Sequence, residues 1–123
     1  MDITPLVPKG KQIITGYGDG KFKVSGESYA SPILVFPDRT VVWSIKGINI
    51  NTESLNVVIE EEGEIDLLLI GSGKLLVVLP NNVRAALKDV GISVEIMTTG
   101  AAVRTYNVVL AEGRRVAAAL LPV

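Results

Sequence analysis

The chain contains neither cysteine nor histidine. Their absence removes disulfide staples, Cys/His zinc sites, the Ser-His-Asp triad and the Cys-His pair. Aromatic residues make up only 5% of the sequence, so a core has to be built from Val, Leu, Ile and Ala, a composition suited to a parallel or mixed sheet. No long basic block occurs: 12 Lys and Arg stand against 13 Asp and Glu, a formal charge of -1. Nothing of this kind neutralises a run of phosphates, which argues against a nucleic-acid partner. No apolar stretch approaches the roughly 18 residues that a membrane-spanning helix needs, because Asp66, Lys74, Arg84, Glu95 and Arg104 interrupt each candidate. The opening residues lack both the basic-then-apolar order of a secretory signal and the Arg- and Ser-rich pattern of a transit peptide. The expectation is a soluble, cytoplasmic protein. Catalysis by paired carboxylates, by a lysine Schiff base or by carboxylate-held magnesium needs a cluster of groups that the sequence does not advertise, and no cofactor or metal is expected.

What is present points to one α/β domain over residues 1–123, the usual size for a single core. The segment from Gly91 to Val123 reads as strand, small-residue turn, helix and strand. Ile92, Val94 and Ile96 alternate up to Thr98-Thr99-Gly100, a helix is expected from about Gly100 to Ala111 with Gly113 as its stop, and an apolar run follows Arg114-Arg115. Upstream, Ile65–Ile70 reads as a buried strand carrying one charge, Asp66. A helix then starts at Pro80, with Val83, Ala86, Leu87 and Val90 on its inner face and Gly91 as its cap. Strand and helix alternate, so the C-terminal half should form parallel crossover units. The N-terminal half reads as an antiparallel meander. Two extended pieces flank Gly16-Tyr17-Gly18-Asp19-Gly20, and a hairpin joins Ile33–Phe36 to Thr40–Ile45 through Pro37-Asp38-Arg39. Thr52 is placed as the N-cap of a short helix carrying Leu55, Val58 and Ile59, ended by the acidic run Glu60-Glu61-Glu62-Gly63. The expected fold is a three-layer α/β domain with a mixed sheet.

Glycine-rich motifs fail as nucleotide loops. Gly71-Ser72-Gly73-Lys74 has Leu68 and Leu75 where a Walker loop needs Gly and Ser or Thr, and no Gly-x-Gly leads into a helix in dinucleotide order. The turn Thr98–Ala102 is different, because free N–H groups at a helix start favour an anion and Arg104 lies close enough to add a bidentate contact. A hypothetical ligand set follows: Ser72, Thr99, Gly100, Arg104 and Asn107. The alternative is structural, with Thr98 or Thr99 capping the helix and Arg104 pairing with Asp66 or Glu95. Asn107 interrupts the stripe of Val103 and Leu110, so it either ties neighbouring backbone together or faces a pocket. Tyr106 is expected in the core with its hydroxyl at a polar rim.

These residues carry a resemblance. Gly16-Tyr17-Gly18-Asp19-Gly20, Phe22, Gly26, Phe36-Pro37, Trp43, Asp66–Gly73, Leu79-Pro80 and the block from Glu95 through Arg104-Thr105-Tyr106-Asn107 to Glu112-Gly113-Arg114-Arg115 together resemble the mitochondrial complex I assembly factor 3 family and its small bacterial and archaeal homologues. The resemblance implies a compact three-layer α/β domain. For the mitochondrial members it implies a non-catalytic role in assembling the respiratory NADH:ubiquinone oxidoreductase, through another assembly factor and subunits of the peripheral arm. By that analogy the leading reading is a non-enzymatic interaction domain with protein partners. Its contact surface is expected around Tyr17, Phe22 and Trp43, with Arg114 and Arg115 at the rim. The rival reading is an anionic-ligand binder, or an enzyme of unknown class, at the Thr98–Arg104 turn.

Overall fold

In the computed structural model, which describes residues 10–123, two short turns fold the start of the described chain into its own sheet. Strands β1 (Ile14–Gly18), β2 (Lys21–Val24) and β3 (Glu27–Tyr29) pair antiparallel in sequence order. Asp19-Gly20 closes the first hairpin and Ser25-Gly26 the second, all four residues at positive φ, as two-residue hairpin loops that match the twist of their strands require. The register slips between Ile14 and Gly16, so Thr15 forms a bulge in β1. The glycine cluster is therefore partly strand, and the turn is confined to Asp19-Gly20.

Strands β4 (Ile33–Val35) and β5 (Thr40–Val42) form the expected hairpin, closed by Phe36 N–H donating to the Arg39 carbonyl at 2.7 Å. This hairpin does not extend the N-terminal sheet. It joins β6 (Leu67–Gly71), β7 (Ser93–Met97) and β8 (Val116–Leu120) in a five-stranded sheet of order β5-β4-β8-β6-β7. The β6–β7 and β6–β8 pairs are parallel, whereas β4 runs antiparallel to both β5 and β8. The meander is thus divided between two sheets.

Side chains alternate across the larger sheet, and each face is covered. Leu34, Leu68, Ile70, Ala117 and Ala119 point to one face, under Leu55, Val58, Val83 and Leu87 from the helices on that side. Ile33, Val35, Leu69, Ala118 and Leu120 point to the other, under the helix that begins at Thr99 and the three-stranded sheet, which contributes Ile14, Phe22 and Val24. Helix α1 (Asn56–Ile59) is preceded by a 3-10 turn at Glu53–Leu55; α2 spans Asn81–Asp89 and α3 spans Thr99–Ala111.

Helix ends follow their local chemistry, with one correction. Gly91 (φ 79) ends α2 through Gly91 N–H to Lys88 O and Ile92 N–H to Leu87 O; Gly113 (φ 82) ends α3 in the same way, through Leu110 O and Val109 O. These are paired 5→2 and 6→1 closures. Thr52, however, does not cap the short helix. Its backbone is already helical (φ -62, ψ -36), whereas an N-cap needs extended geometry. Asn51 takes that role: its Oδ1 accepts from Ser54 N–H at 2.8 Å while Ser54 Oγ accepts from Asn51 N–H at 3.1 Å, a reciprocal arrangement of the capping-box kind.

Asp66 precedes β6 and is exposed, so the strand itself is free of charge. Its partner is Arg115, which immediately precedes the neighbouring β8 and grips the carboxylate through Nε (3.1 Å) and Nη2 (2.7 Å) while Nη1 donates to the Gly63 carbonyl. At the same end of the sheet Arg39 lies over the Phe36 ring, 4.3 Å from its centre, and pairs with Glu61 and Asp38. Beneath it the Tyr106 hydroxyl is shared between the carbonyls of Gln12 (3.1 Å) and Phe36 (3.4 Å). Burial, and secondarily Asp38, push the Tyr106 phenol up from its ordinary value of 10.0. A phenol whose folded pKa is raised stabilises the fold fully below the unfolded value and loses that contribution as pH rises above it. Stability should therefore begin to fall above about pH 10, with a slope of up to about 1.4 kcal/mol per pH unit from this group alone. Urea midpoints from pH 8 to 11 for the wild type and Tyr106→Phe test this; the phenylalanine variant should lose that part of the alkaline decline, and an identical decline in both would contradict it.

Candidate functional site

The carboxyl ends of β6, β7 and β8 lie side by side, with Gly71 opposite both Met97 and Leu120. The Ser72-Gly73 loop and the Thr98-Thr99-Gly100 turn therefore meet at one edge. Thr99 joins them: its Oγ1 accepts from Gly73 N–H at 2.9 Å and donates to the Leu121 carbonyl at 2.6 Å, and its own N–H donates to the Gly73 carbonyl at 3.0 Å. Its side chain is fully buried. Gly71 is glycine because a Cβ there would lie 2.9 Å from the Thr99 Cα and 2.9 Å from Leu120 Cδ2, closer than packed atoms allow. Ser72 is buried too, and its hydroxyl donates to Leu75 O (2.7 Å), with Met97 O at 3.3 Å.

Asn107 ties backbone together. Its Nδ2 donates to Ile14 O at 2.7 Å and its Oδ1 accepts from Ile14 N–H at 3.0 Å, so one amide satisfies both polar groups of a strand residue beside the Thr15 bulge. Thr98 makes no side-chain cap bond to α3.

Above these groups sit Tyr17, Gly100 and Arg104. A Cβ on Gly100 would be 2.6 Å from the Tyr17 hydroxyl, so the missing side chain is what lets the phenol lie over the start of α3. Arg104 Nη1 reaches the same hydroxyl at 3.4 Å. Arg104 pairs with neither Asp66 nor Glu95. It stands at the carboxyl-terminal edge of the parallel strands, whereas Asp66 lies at the opposite end with Arg115. Sequence reasoning kept Tyr17 apart from Gly100 and Arg104; the fold brings the three into contact.

The expected partner surface is corrected. Phe22 is 1% and Trp43 2% exposed; Phe22 fills the core between the two sheets, and Trp43 packs under α1 with its indole N–H donating to Ser54 O at 2.7 Å. Neither offers contact area. Of that set Tyr17 is exposed, at 43%. Arg115 is engaged by Asp66, and Arg114 is exposed without an ion pair among the described residues.

Among the described residues, the densest run of exposed aliphatic side chains lies after β6. Leu75, Leu76 and Val78 are 77%, 66% and 93% exposed, in an irregular connection between Gly73 and Pro80. Sequence reasoning passed over them. The available signal was five consecutive aliphatic residues, Leu75–Leu79, that neither alternate nor follow helical spacing. Two surface clefts, of about 700 Å³ beside Asn51 and Glu53 and about 270 Å³ beside Phe36 and Glu64, lie away from the Thr98–Arg104 turn. No helix among the described residues is long and apolar enough to cross a membrane, and no metal-binding cluster of His, Cys, Asp or Glu occurs among them.

Known proteins share this fold. A protein of Bartonella henselae described as an outer membrane protein superposes with a TM-score of 0.86 at 39% identity, covering 95% of this chain and 98% of that one. An uncharacterised protein of Rhodobacter capsulatus is 37% identical over 109 residues, 89% of this chain and 83% of its own. The NADH dehydrogenase [ubiquinone] 1 alpha subcomplex assembly factor 3 of Xenopus tropicalis is 30% identical over 110 residues, 89% of this chain but 60% of that protein. The chain thus spans about three fifths of the length of that animal relative. Residues 14–121 match the family described as protein of unknown function (DUF498/DUF598), and the chain belongs to that family.

Proposed function

We propose that this chain is a non-catalytic cytoplasmic interaction domain that assists assembly of a respiratory NADH dehydrogenase complex by binding protein partners, either subunits of the complex or another assembly factor. The observation that carries the reading is the fate of the polar groups at the strand ends. Ser72, Thr99 and Asn107, the side chains best placed to serve a substrate, all bond the fold's own backbone. An exposed aliphatic segment stands a few residues away, and relatives across animals bear the assembly-factor name. Fold alone does not fix function, so the test is direct. A tagged copy, expressed in its source organism and recovered under gentle conditions, is expected to bring down NADH dehydrogenase subunits or a companion factor in quantitative mass spectrometry. Recovery of neither above background would overturn the reading.

A second reading has one observation in its favour. The exposed Arg104 guanidinium has as its sole side-chain partner among the described residues the Tyr17 hydroxyl, at 3.4 Å, beside the start of α3, where an anion would be favoured. On this reading Gly100 and Arg104 hold a carboxylate or phosphate, while Ser72, Thr99 and Asn107 set the backbone around it. A thermal-shift screen of small anions, with Arg104→Ala alongside, decides it; no shift, or one the variant preserves, removes the reading.

A further inference from the structure

Leu75–Leu79 combines three properties. Leu75, Leu76 and Val78 are largely exposed while Leu79 is 2% exposed and Val77 packs against the core, so the segment is anchored from below and open above. Among the described residues, no backbone N–H from Lys74 to Leu79 has a hydrogen-bond partner, nor do the carbonyls of Leu76 to Leu79. The charge next to it along the chain is basic: Lys74 directly precedes the segment and Arg84 lies near the start of α2, which follows it, with no acidic residue between Asp66 and Asp89. Both are exposed and neither forms an ion pair among the described residues. Five of the 13 acidic residues cluster elsewhere, at Glu53, Glu60–Glu62 and Glu64.

We propose that Leu75–Leu79 is a docking strand, alongside which an extended apolar segment of a partner protein, flanked by carboxylates, adds through main-chain hydrogen bonds. The proposal rests on the interaction-domain reading and names the surface and the chemistry of the partner. Three physical arguments select this occupant. An extended partner segment satisfies the open N–H and C=O groups while its apolar side chains cover Leu76 and Val78. A lipid surface would cover the same side chains but leave those backbone groups unpaired, at several kcal/mol each. A second copy paired through the same segment would bring Lys74 and Arg84 against their like-charged counterparts, whereas carboxylates on a different protein meet them favourably.

The experiment selects random dodecapeptides displayed on phage against the purified full chain. Enriched peptides are expected to carry an apolar centre flanked by Asp or Glu. A synthetic copy of the best should slow hydrogen exchange at the amides of Leu76 to Leu79. Val78→Asp should weaken its binding by about tenfold or more, as should the milder Leu76→Ser to a smaller degree, and Arg84→Glu should weaken it most at low salt. Both apolar positions are exposed, so the variants should fold, which circular dichroism checks. No enrichment of such peptides, binding without protection of those amides, or preferential binding to phosphatidylglycerol vesicles or to a second copy of the chain would overturn the proposal. Copurification separates it from the assembly reading. NADH dehydrogenase subunits recovered equally with wild type and Val78→Asp would sink the docking strand alone. Peptide binding as described, with no such subunits recovered, would support the docking strand and remove the assembly reading.

Discussion

Thr99→Val is expected to destabilise the protein by about 2–4 kcal/mol at neutral pH. The substitution keeps the shape of the side chain and removes its hydroxyl, so packing changes little and the effect isolates hydrogen bonding. In the wild type that hydroxyl accepts from Gly73 N–H and donates to Leu121 O, from a position with no solvent exposure. Valine leaves a donor and an acceptor without partners, each worth about 1–3 kcal/mol when stranded away from water. Gly73 is half-buried, so its N–H recovers part of its share from solvent. Thr99→Ser keeps both bonds and loses one methyl group, and should cost about 1 kcal/mol. Urea unfolding of the three proteins gives the comparison. A valine variant within about 0.5 kcal/mol of wild type would mean that Thr99 does not fasten the β6 loop to α3, and would reopen the hydroxyl to a ligand.

Trp43→Ala should cost still more, about 3–5 kcal/mol, the range for truncating a buried large aromatic residue. That is a large fraction of the roughly 5–15 kcal/mol by which a domain of this kind is stable, so the variant should be visibly less heat-resistant. The indole fills the core between the larger sheet and the Glu53–Ile59 helical turn, and its N–H satisfies the Ser54 carbonyl next to the Asn51 cap. Trp43→Phe retains most of the apolar volume and strands that carbonyl, and should fall between the two. Calorimetric midpoints check the order. A midpoint for Trp43→Ala matching wild type would place the indole at the surface, as the sequence had suggested, and return it to the list of partner contacts.

The elements visible in the sequence are those whose signals are local. The Pro37-Asp38 hairpin and the stop glycines Gly91 and Gly113 dictate backbone angles within a few residues and are found where expected, whereas the glycine-cluster turn narrows to Asp19-Gly20 and Pro80 is the extended N-cap of α2 rather than part of its first turn. Asn107 was visible as a polar interruption of an apolar stripe, but its partner, Ile14, lies 93 residues away, and no local pattern encodes that pairing. The same distance problem hides Tyr17 over Gly100. Strand order was hidden for a related reason: a hairpin can extend either sheet, and its attachment to β8 depends on which faces must be buried. Phe22 is instructive in the other direction. The alternation Lys21-Phe22-Lys23-Val24 already puts Phe22 and Val24 on one face, so its burial was readable from period-two spacing, and scarcity of aromatics was the weaker guide. Exposed Leu75, Leu76 and Val78 went the opposite way, because composition marks aliphatic residues as core and cannot reveal that a five-residue connection has no strand to pair with.

The central claim, that the protein assists assembly of a respiratory NADH dehydrogenase without catalysing a reaction, is tested most directly in a strain of the source organism lacking it, by quantifying the assembled complex in native gels and its NADH oxidation in membranes. The account predicts that the assembled complex falls and partly assembled subunits accumulate. Wild-type protein and Arg104→Ala should restore it, and Val78→Asp should not. Assembly and NADH oxidation at wild-type levels in the deletion strain would contradict the account.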